Sequence, residues 1–309
     1  MRFHSFPRQI IYFGLIALAF YIAAPSWAAT NKIQGDVIGQ LSHYQVQQGD
    51  TLNAIARKFD LGFVELLAAN PGLTAKTLKP GMQLVLPTMH VLPPGNRDGI
   101  VVNLSELRLY YFADDNTVMT FPIGIGREGW ETPVTETEVT NKRKNPSWRP
   151  PDSIRAEKPD LPEVVPPGPN NPLGQHALSL GKPGYLIHGT NNPNSIGKRA
   201  SHGCIRMYPE DIAALFEVVE EGTPVYIIDT PYKVGWSGRH LLLEITPTQE
   251  QSDDIAKYRQ PKALDISEAY EAVTMAAEGR NINWPLVEQA AASHSGVPVV
   301  IATKLLPWP

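Results

Sequence analysis

The chain has 309 residues, 42 % of them apolar, which is enough to give two or three compact units a core each and makes disorder a poor default reading. A formal net charge of −4, from 27 Lys and Arg against 31 Asp and Glu, provides no basic stripe of the kind that phosphate neutralisation needs. Nucleic acid is not an expected partner, despite the local Lys142-Arg143-Lys144 cluster. With a single cysteine there is no internal disulfide, so the fold must rest on its cores and Cys204 stays a free thiol.

Residues 1–28 have the three parts of a secretory signal: Arg2 and Arg8, an apolar run from Ile10 to Ala24, and the small residues Ser26 and Ala28 before a cleavage point. The run is about 15 residues long where a spanning helix needs roughly 20, so cleavage after Ala28 is expected rather than a retained anchor. No cysteine lies there for lipid attachment. Cleavage removes two Arg and no acid, leaving 25 − 31 = −6. Outside the cytoplasm an unpaired thiol is a liability, which makes a reactive role for Cys204 worth weighing against the commoner one of a small buried hydrophobe.

From His43 to Pro87 the pattern alternates, turns helical twice and alternates again, predicting a βααβ unit over 43–88. Val46 falls in the first strand, and Gly49-Asp50 makes a turn. Asp50 or Thr51 can cap a helix whose apolar face is Leu52, Ile55, Ala56 and Phe59. A second helix from Phe63 to Ala69 stops at Asn70-Pro71-Gly72, and Leu84-Val85-Leu86 closes the unit as a strand. YxVxxGDTLxxIA at 44–56, NPG at 70–72 and the final PGMQLVLP resemble the LysM module, which implies binding to the N-acetylglucosamine-containing backbone of peptidoglycan or chitin.

Pro93, Pro94 and Gly95 mark a linker to a second unit at 98–230. Ile100 to Leu104 and Leu107 to Phe112 predict a hairpin, and Val118 to Ile125 another strand. Residues 145–174 hold nine prolines, too many for a central strand or helix, yet Trp148, Leu161, Val164 and Val165 give the segment something to pack with. An ordered loop or lid is expected. Tyr185-Leu186-Ile187 reads as a buried strand running into His188, and Pro209 opens a helix that reaches Glu221, with Gly222 just past its end. The remaining 231–309 form an extension with a strand at Leu241 to Ile245, helical patterns near 265–278 and 284–294, and an apolar run at Val297 to Ala302.

The chemistry concentrates in IHGTNNPNSIGKRASHGCIRMYPED, where His188 stands sixteen residues before Cys204. A thiol with an ordinary pKa of about 8.5 is only a few per cent thiolate at neutral pH, so a cysteine nucleophile needs a base or an imidazolium beside it. His188 is the candidate. Gly203 permits close backbone approach, and the amides of 202–204 can converge on a developing oxyanion. Zinc is the alternative for His188, His202 and Cys204, but a fourth ligand is not obvious; His176 is available, without any paired spacing.

Here the residues resemble the L,D-transpeptidase catalytic domain, also called the YkuD domain, whose motif pairs His-Gly with a downstream Ser/Thr-His-Gly-Cys and an Asn or Arg two positions on. The matches are His188-Gly189 and Ser201-His202-Gly203-Cys204-Ile205-Arg206, supported by Ile123-Gly124 to Thr132-Pro133 and Asn171-Pro172-Leu173-Gly174. The resemblance implies an α+β multidomain chain: the LysM unit, a mostly β catalytic domain, and a small α/β extension. It further implies that Cys204 attacks a tetrapeptide stem after its third residue and expels D-alanine. In that scheme His188 serves as base, the Gly189 carbonyl orients the imidazole, and His202 and Gly203 join Cys204 in the oxyanion hole. Arg206, Ser201 and Thr190 contact substrate.

No metal or organic cofactor is implied. The expected setting is the periplasm, with peptidoglycan as partner. The arrangement of modules resembles the Gram-negative branch that joins the C-terminal lysine of the outer-membrane lipoprotein to diaminopimelate. Cross-linking of the 3→3 type, D-amino-acid exchange and L,D-carboxypeptidase trimming remain alternatives. A LysM-bearing cysteine endopeptidase is disfavoured because there the cysteine precedes the histidine. A glycan-binding protein without activity is the rival from another class.

Overall fold

The computed structural model describes residues 30–304 except 34, 115, 262–264 and 266, so the expected signal at 1–28 lies outside the described residues. Strand β1 (Thr30–Lys32) pairs with the catalytic sheet, and β2 (Val37–Gly39) leads to the βααβ unit. That unit consists of β3 (Ser42–Gln45), α1 (Leu52–Lys58), α2 (Phe63–Ala68) and β4 (Gln83–Leu86), with Ser42 opposite Leu86 and Gln45 opposite Gln83. Of the two capping residues considered, Thr51 caps α1, accepting the Ala54 N–H at 3.2 Å. Asp50 closes the preceding turn instead, accepting from the Gln47 N–H at 2.7 Å and the Tyr44 hydroxyl at 2.8 Å. The first strand stops at Gln45, so Val46 lies just past it as a core residue. Asn70 of the NPG turn clips α2 to β4, its amide donating to the Leu66 and Val85 carbonyls and accepting from the Val85 N–H, each at 2.8 Å.

After β5 (Met89–Val91), which pairs with β2, the catalytic sheet is built from β6 (Gly99–Asn103), β7 (Arg108–Asp114), β8 (Thr117–Gly126) and β9 (Thr135–Lys144). A short helix α3 (Asp152–Glu157) follows, then β10 (His176–Leu180), β11 (Leu186–His188), β12 (Arg199–Ser201), β13 (Ile205–Met207), α4 (Pro209–Val218) and β14 (Pro224–Ile228). The path β8-β13-β11-β10-β9-β14-β6-β7 returns to β8, because that long strand pairs with β7 through Pro122 and with β13 at Ile123 and Gly124. Helix α4 ends at Val218 rather than Glu221: Val219, fully buried and β-branched, takes an extended conformation there. The proline-rich segment is ordered. Trp148 and Val165 exchange backbone hydrogen bonds of 2.9 and 2.8 Å, and buried Asn171 donates to the Pro146 carbonyl at 2.8 Å.

The extension adds β15 (Tyr232–Ser237), β16 (His240–Ile245), α5 (Gln249–Ala256), α6 (Ser267–Ala277), α7 (Trp284–Ser293) and β17 (Val299–Thr303). Its sheet runs β15-β16-β17, and Leu241, Leu243 and Ile301 form a core with Val273 of α6 and Val287 of α7. No helix among the described residues is long and apolar enough to cross a membrane.

Several contacts fix the βααβ unit to the catalytic domain, among them the Arg57–Glu210 ion pair at 2.6 Å. The first N–H groups of α2, which no helical carbonyl can satisfy, reach the Ile196 and Gly197 carbonyls at 3.4 and 3.1 Å. Gly197 is required there: its φ is +72°, and a Cβ would stand 2.0 Å from the Phe63 nitrogen. Buried Arg108 donates to the Glu65 carboxylate at 2.8 Å and to the Asp60 carbonyl at 2.9 Å.

A buried ionic cluster joins the catalytic domain to the extension and, through His90 lying 3.8 Å from Glu65 of α2, to the βααβ unit. Lys233 of β15 donates to Glu106 at 2.7 Å, to Glu244 of β16 at 3.0 Å and to the Tyr110 hydroxyl at 3.1 Å, while the His90 ring of β5 lies 3.5 and 3.6 Å from the same two carboxylates. Burial pulls His90 down and Arg108 adds to that, but bonding to Glu106 and Glu244 prevails and its pKa ends above the ordinary value. Burial raises Glu106, yet Lys233 and His90 hold it well below the carboxylate range. The Glu106 contribution to stability is complete above its ordinary 4.5 and fades as pH falls; that of His90 is complete below 6.5 and is lost as pH rises through its raised pKa. The cluster therefore stabilises most between those values. Lys233→Met, which removes the ammonium and leaves the two carboxylates only the His90 imidazole between them, should cost about 3–5 kcal/mol in chemical denaturation. Unchanged stability would show that the cluster does not hold the units together.

Candidate active site

Strands β11 and β13 run side by side in parallel, with Ile187 opposite Ile205 and His188 opposite Arg206. Since side chains alternate across a sheet, Ile187, Ile205 and Met207 go to the core, all at most 1 % exposed, while Leu186, His188 and Arg206 point the other way. Cys204, one step before β13, joins that second face. These four residues line a cleft of about 530 Å³ whose far wall is the proline-rich segment, through Trp148, Arg149, Pro151, Ser153 and Ile154. The volume falls within the range typical of small-molecule sites. Three arginines, Arg143, Arg149 and Arg206, line it, and none of its lining residues is a carboxylate.

His188 is 4 % exposed, and its Nδ1 lies 2.5 Å from the Gly189 carbonyl, which can only accept; Nδ1 therefore carries the proton. Burial drives the imidazole down to about 4, the Arg206 charge adds to this, and the Gly189 and Leu173 carbonyls oppose it. The ring is neutral at pH 7. Burial raises the Cys204 thiol, partly offset by the Leu186 N–H and the Arg206 charge. Both shifts favour the uncharged forms, thiol and imidazole. In this state the sulfur donates to the Gly184 carbonyl at 3.5 Å.

The turn that carries the thiol is held from inside. Ser201 Oγ accepts the Gly203 N–H at 3.1 Å and donates to the Cys204 carbonyl at 2.6 Å, and Thr132 Oγ1 donates to the Gly203 carbonyl at 2.9 Å. Ser201 borders the cleft with its hydroxyl bonded within the turn, and the Gly203 amide is bonded there as well. The Thr190 hydroxyl accepts the Asn192 N–H at 3.0 Å, just outside the residues that line the cleft. Arg206 does line the cleft, and its Nε is buried without a partner. His176 packs on Phe216 with ring centroids 4.8 Å apart.

The His202 ring connects the turn to the lid. Its Nε2 is 3.0 Å from Glu157 at the end of α3 and 3.1 Å from Arg127, whose guanidinium also donates to Glu157 at 2.8 Å. The edge of Trp130 lies against the same ring at 4.8 Å. Sequence reading did not single out Arg127, Trp130 or Glu157. Only the distant pattern ending in Thr132-Pro133 hinted that residues near 130 belong to the site.

A profile of the L,D-transpeptidase (YkuD) catalytic domain matches residues 97–227, and one of the LysM domain matches 44–87. Over 311 residues the chain is 38 % identical to Probable L,D-transpeptidase YcfS of Escherichia coli, covering 95 % of this chain and 94 % of that one. It is 43 % identical over 276 residues to Probable L,D-transpeptidase ErfK/SrfK of Salmonella typhimurium (86 % and 88 % covered) and 35 % identical over 278 residues to Probable L,D-transpeptidase YbiS of Escherichia coli (85 % and 88 %). The chain belongs to the L,D-transpeptidase family.

Gly203 has φ of +99°, and a Cβ there would come within 3.1 Å of the Tyr185 ring. Gly203→Ala should keep the fold, because the strain is confined to one turn, but should slow acylation of Cys204 on the order of 10²-fold by displacing the sulfur. Stopped-flow acylation alongside a melting curve tests this; an unimpaired rate would show that the turn does not set the thiol's position.

Proposed function

We propose that the chain is an exported L,D-transpeptidase that works on peptidoglycan in the periplasm, with Cys204 as nucleophile and His188 as base. The observation that carries the reading is the shared face of β11 and β13, on which the thiol and a neutral, buried imidazole border one cationic cleft. In the proposed reaction the Cys204 side chain turns from the Gly184 carbonyl towards the imidazole, whose unprotonated Nε2 takes the thiol proton. Sulfur attacks the carbonyl of the third stem residue, and the amides of His202 and Cys204 receive the developing oxyanion. As the tetrahedral intermediate collapses, the imidazolium returns its proton to the departing D-alanine amine and a thioester remains. An acceptor amine then attacks the thioester, gives its proton to His188, and releases the thiol.

The cleft supports a substrate rich in carboxylates, as a stem peptide is, since its charged side chains are guanidiniums that bind carboxylate in a fork. Arg206, lying beside the sulfur with an unpartnered Nε, is the residue assigned to the donor carboxylate. Our leading acceptor is the C-terminal lysine of the outer-membrane lipoprotein. Diaminopimelate in 3→3 cross-linking, a free D-amino acid and water are the alternatives.

Incubation with tetrapeptide muropeptides, with and without the lipoprotein, separates these acceptors by product mass. A lipoprotein–muropeptide adduct is expected; exclusively 3→3 dimers or trimmed tripeptides would reassign the acceptor. Cys204→Ala should abolish the thioester while leaving binding to sacculi intact, and full turnover by that variant would remove the mechanism. A carbapenem should acylate the same sulfur, seen as an intact-mass adduct absent from Cys204→Ala.

A further inference from the structure

The register of the catalytic sheet continues past the two strands that carry the thiol and the base. Arg143 of β9 lies opposite Ala177 of β10, Ala177 opposite His188 of β11, and His188 opposite Arg206 of β13. Residues directly opposite in neighbouring strands share a face, so these four form one row across the sheet, and all but Ala177 line the cleft. Lys142 and Lys144, on either side of Arg143, turn to the other face, where their ammonium groups lie over the Phe216 ring at 4.7 and 5.4 Å. His188 therefore stands between two guanidiniums. Arg206 is one strand away on the side of the sulfur, and Arg143 is two strands away, roughly 10 Å, on the other. Of the three arginines in the cleft, Arg149 pairs with Glu163 at 2.5 Å, and Arg206 is the one assigned to the donor. Arg143 is exposed, its side chain has no hydrogen-bond or ion-pair partner among the described residues, and no carboxylate lines the cleft to neutralise it.

We propose that Arg143 anchors a free carboxylate on the amine acceptor, so that the enzyme takes acceptors that carry both an amine and a carboxylate and rejects the corresponding amides. The assignment rests on the reading of Cys204 and His188 as a transpeptidase pair, and it names the chemistry of the acceptor. In the transfer step the acceptor nitrogen bonds to the thioester carbonyl carbon, the carbon–sulfur bond breaks, and the proton lost from nitrogen passes through His188 to the sulfur. The attacking amine must reach His188 from the side that the donor does not fill, which is the side of Arg143. A guanidinium there grips a carboxylate in a fork and turns the amine towards the thioester. The departing D-alanine also carries a carboxylate beside its amine, and it leaves along the path by which the acceptor arrives, so the same guanidinium serves both steps. Two kinds of acceptor offer this chemistry. In a peptide that ends in lysine the carboxylate is set back from the side-chain amine; at the free end of diaminopimelate the two groups share one carbon.

The test uses the mature full-length protein, a tetrapeptide donor and two acceptor pairs: Nα-acetyl-lysine with its amide, and D-methionine with its amide. The readout is the partition of the thioester between amine and water, a ratio that does not depend on how fast the thioester forms. Wild type should favour the carboxylate member of at least one pair by about 10- to 100-fold, the worth of a charge-assisted contact. The pair that shows the preference tells a lysine acceptor from one of the diaminopimelate kind. Arg143→Gln should remove most of that preference, and comparison of variant with wild type cancels the different basicities of the amines. Wild type that treats carboxylate and amide alike in both pairs would overturn the proposal without reference to any variant, as would a preference that survives in Arg143→Gln; both results leave the transpeptidase reading intact. Wild type that forms no thioester with the donor would bring down that reading and the proposal with it.

Discussion

The site depends on the register between two short parallel strands. Because Ile187 lies opposite Ile205 and His188 opposite Arg206, the apolar members of both strands enter the core together and the polar members reach the cleft together. A slip of one residue in either strand would bury a guanidinium or an imidazole among Ile212, Leu215 and Met207 and turn an isoleucine out to water. The hydrophobic effect thus enforces the catalytic geometry: burying Ile187 and Ile205 leaves His188 no other direction to face. Helix α4 backs this arrangement through Ile212 and Leu215, and β8 flanks β13 on its other edge.

Electrostatics then sets the character of the pair. Burial disfavours both charged forms, and Arg206, on the same face, disfavours the imidazolium while favouring the thiolate. Burial is the larger influence on each group, so the pair rests uncharged. A neutral thiol is also the less oxidisable form, because the thiolate is the reactive one. In the proposed reaction, proton transfer is deferred to the moment of attack, when substrate carboxylates in the cleft offset Arg206. The Glu157–His202–Arg127 contact adds a mechanical link, tying the lid helix α3 to the turn that carries the sulfur.

Much of this was legible in the sequence, and the exceptions have physical causes. Local signals served well: the choice of Asp50 or Thr51 as cap, settled on Thr51, the NPG stop and Pro209 at the start of α4 are all short-range patterns, and His188 and Cys204 both border one cleft. The helix α5 escaped notice because it is polar and is secured by a capping box at Thr248 and Gln251 rather than by an apolar stripe. The strand β15 was missed because Lys233 and Gly235 interrupt its alternation, and Lys233 belongs there only because Glu106 and Glu244 arrive from elsewhere in the chain. In the site, the sequence gives no sign that the Ser201 hydroxyl is bonded within its own turn, and none that Glu157 would reach His202 across 45 residues.

Whether His188 is a neutral base for an un-ionised Cys204 is read from the rate of thiol alkylation by a small uncharged reagent as a function of pH. The predicted curve rises continuously through neutrality to a single alkaline inflection above the ordinary thiol value, with no plateau at lower pH. A flat, fast rate between pH 5 and 7 that disappears in His188→Gln would reveal a preformed thiolate–imidazolium pair and contradict the claim.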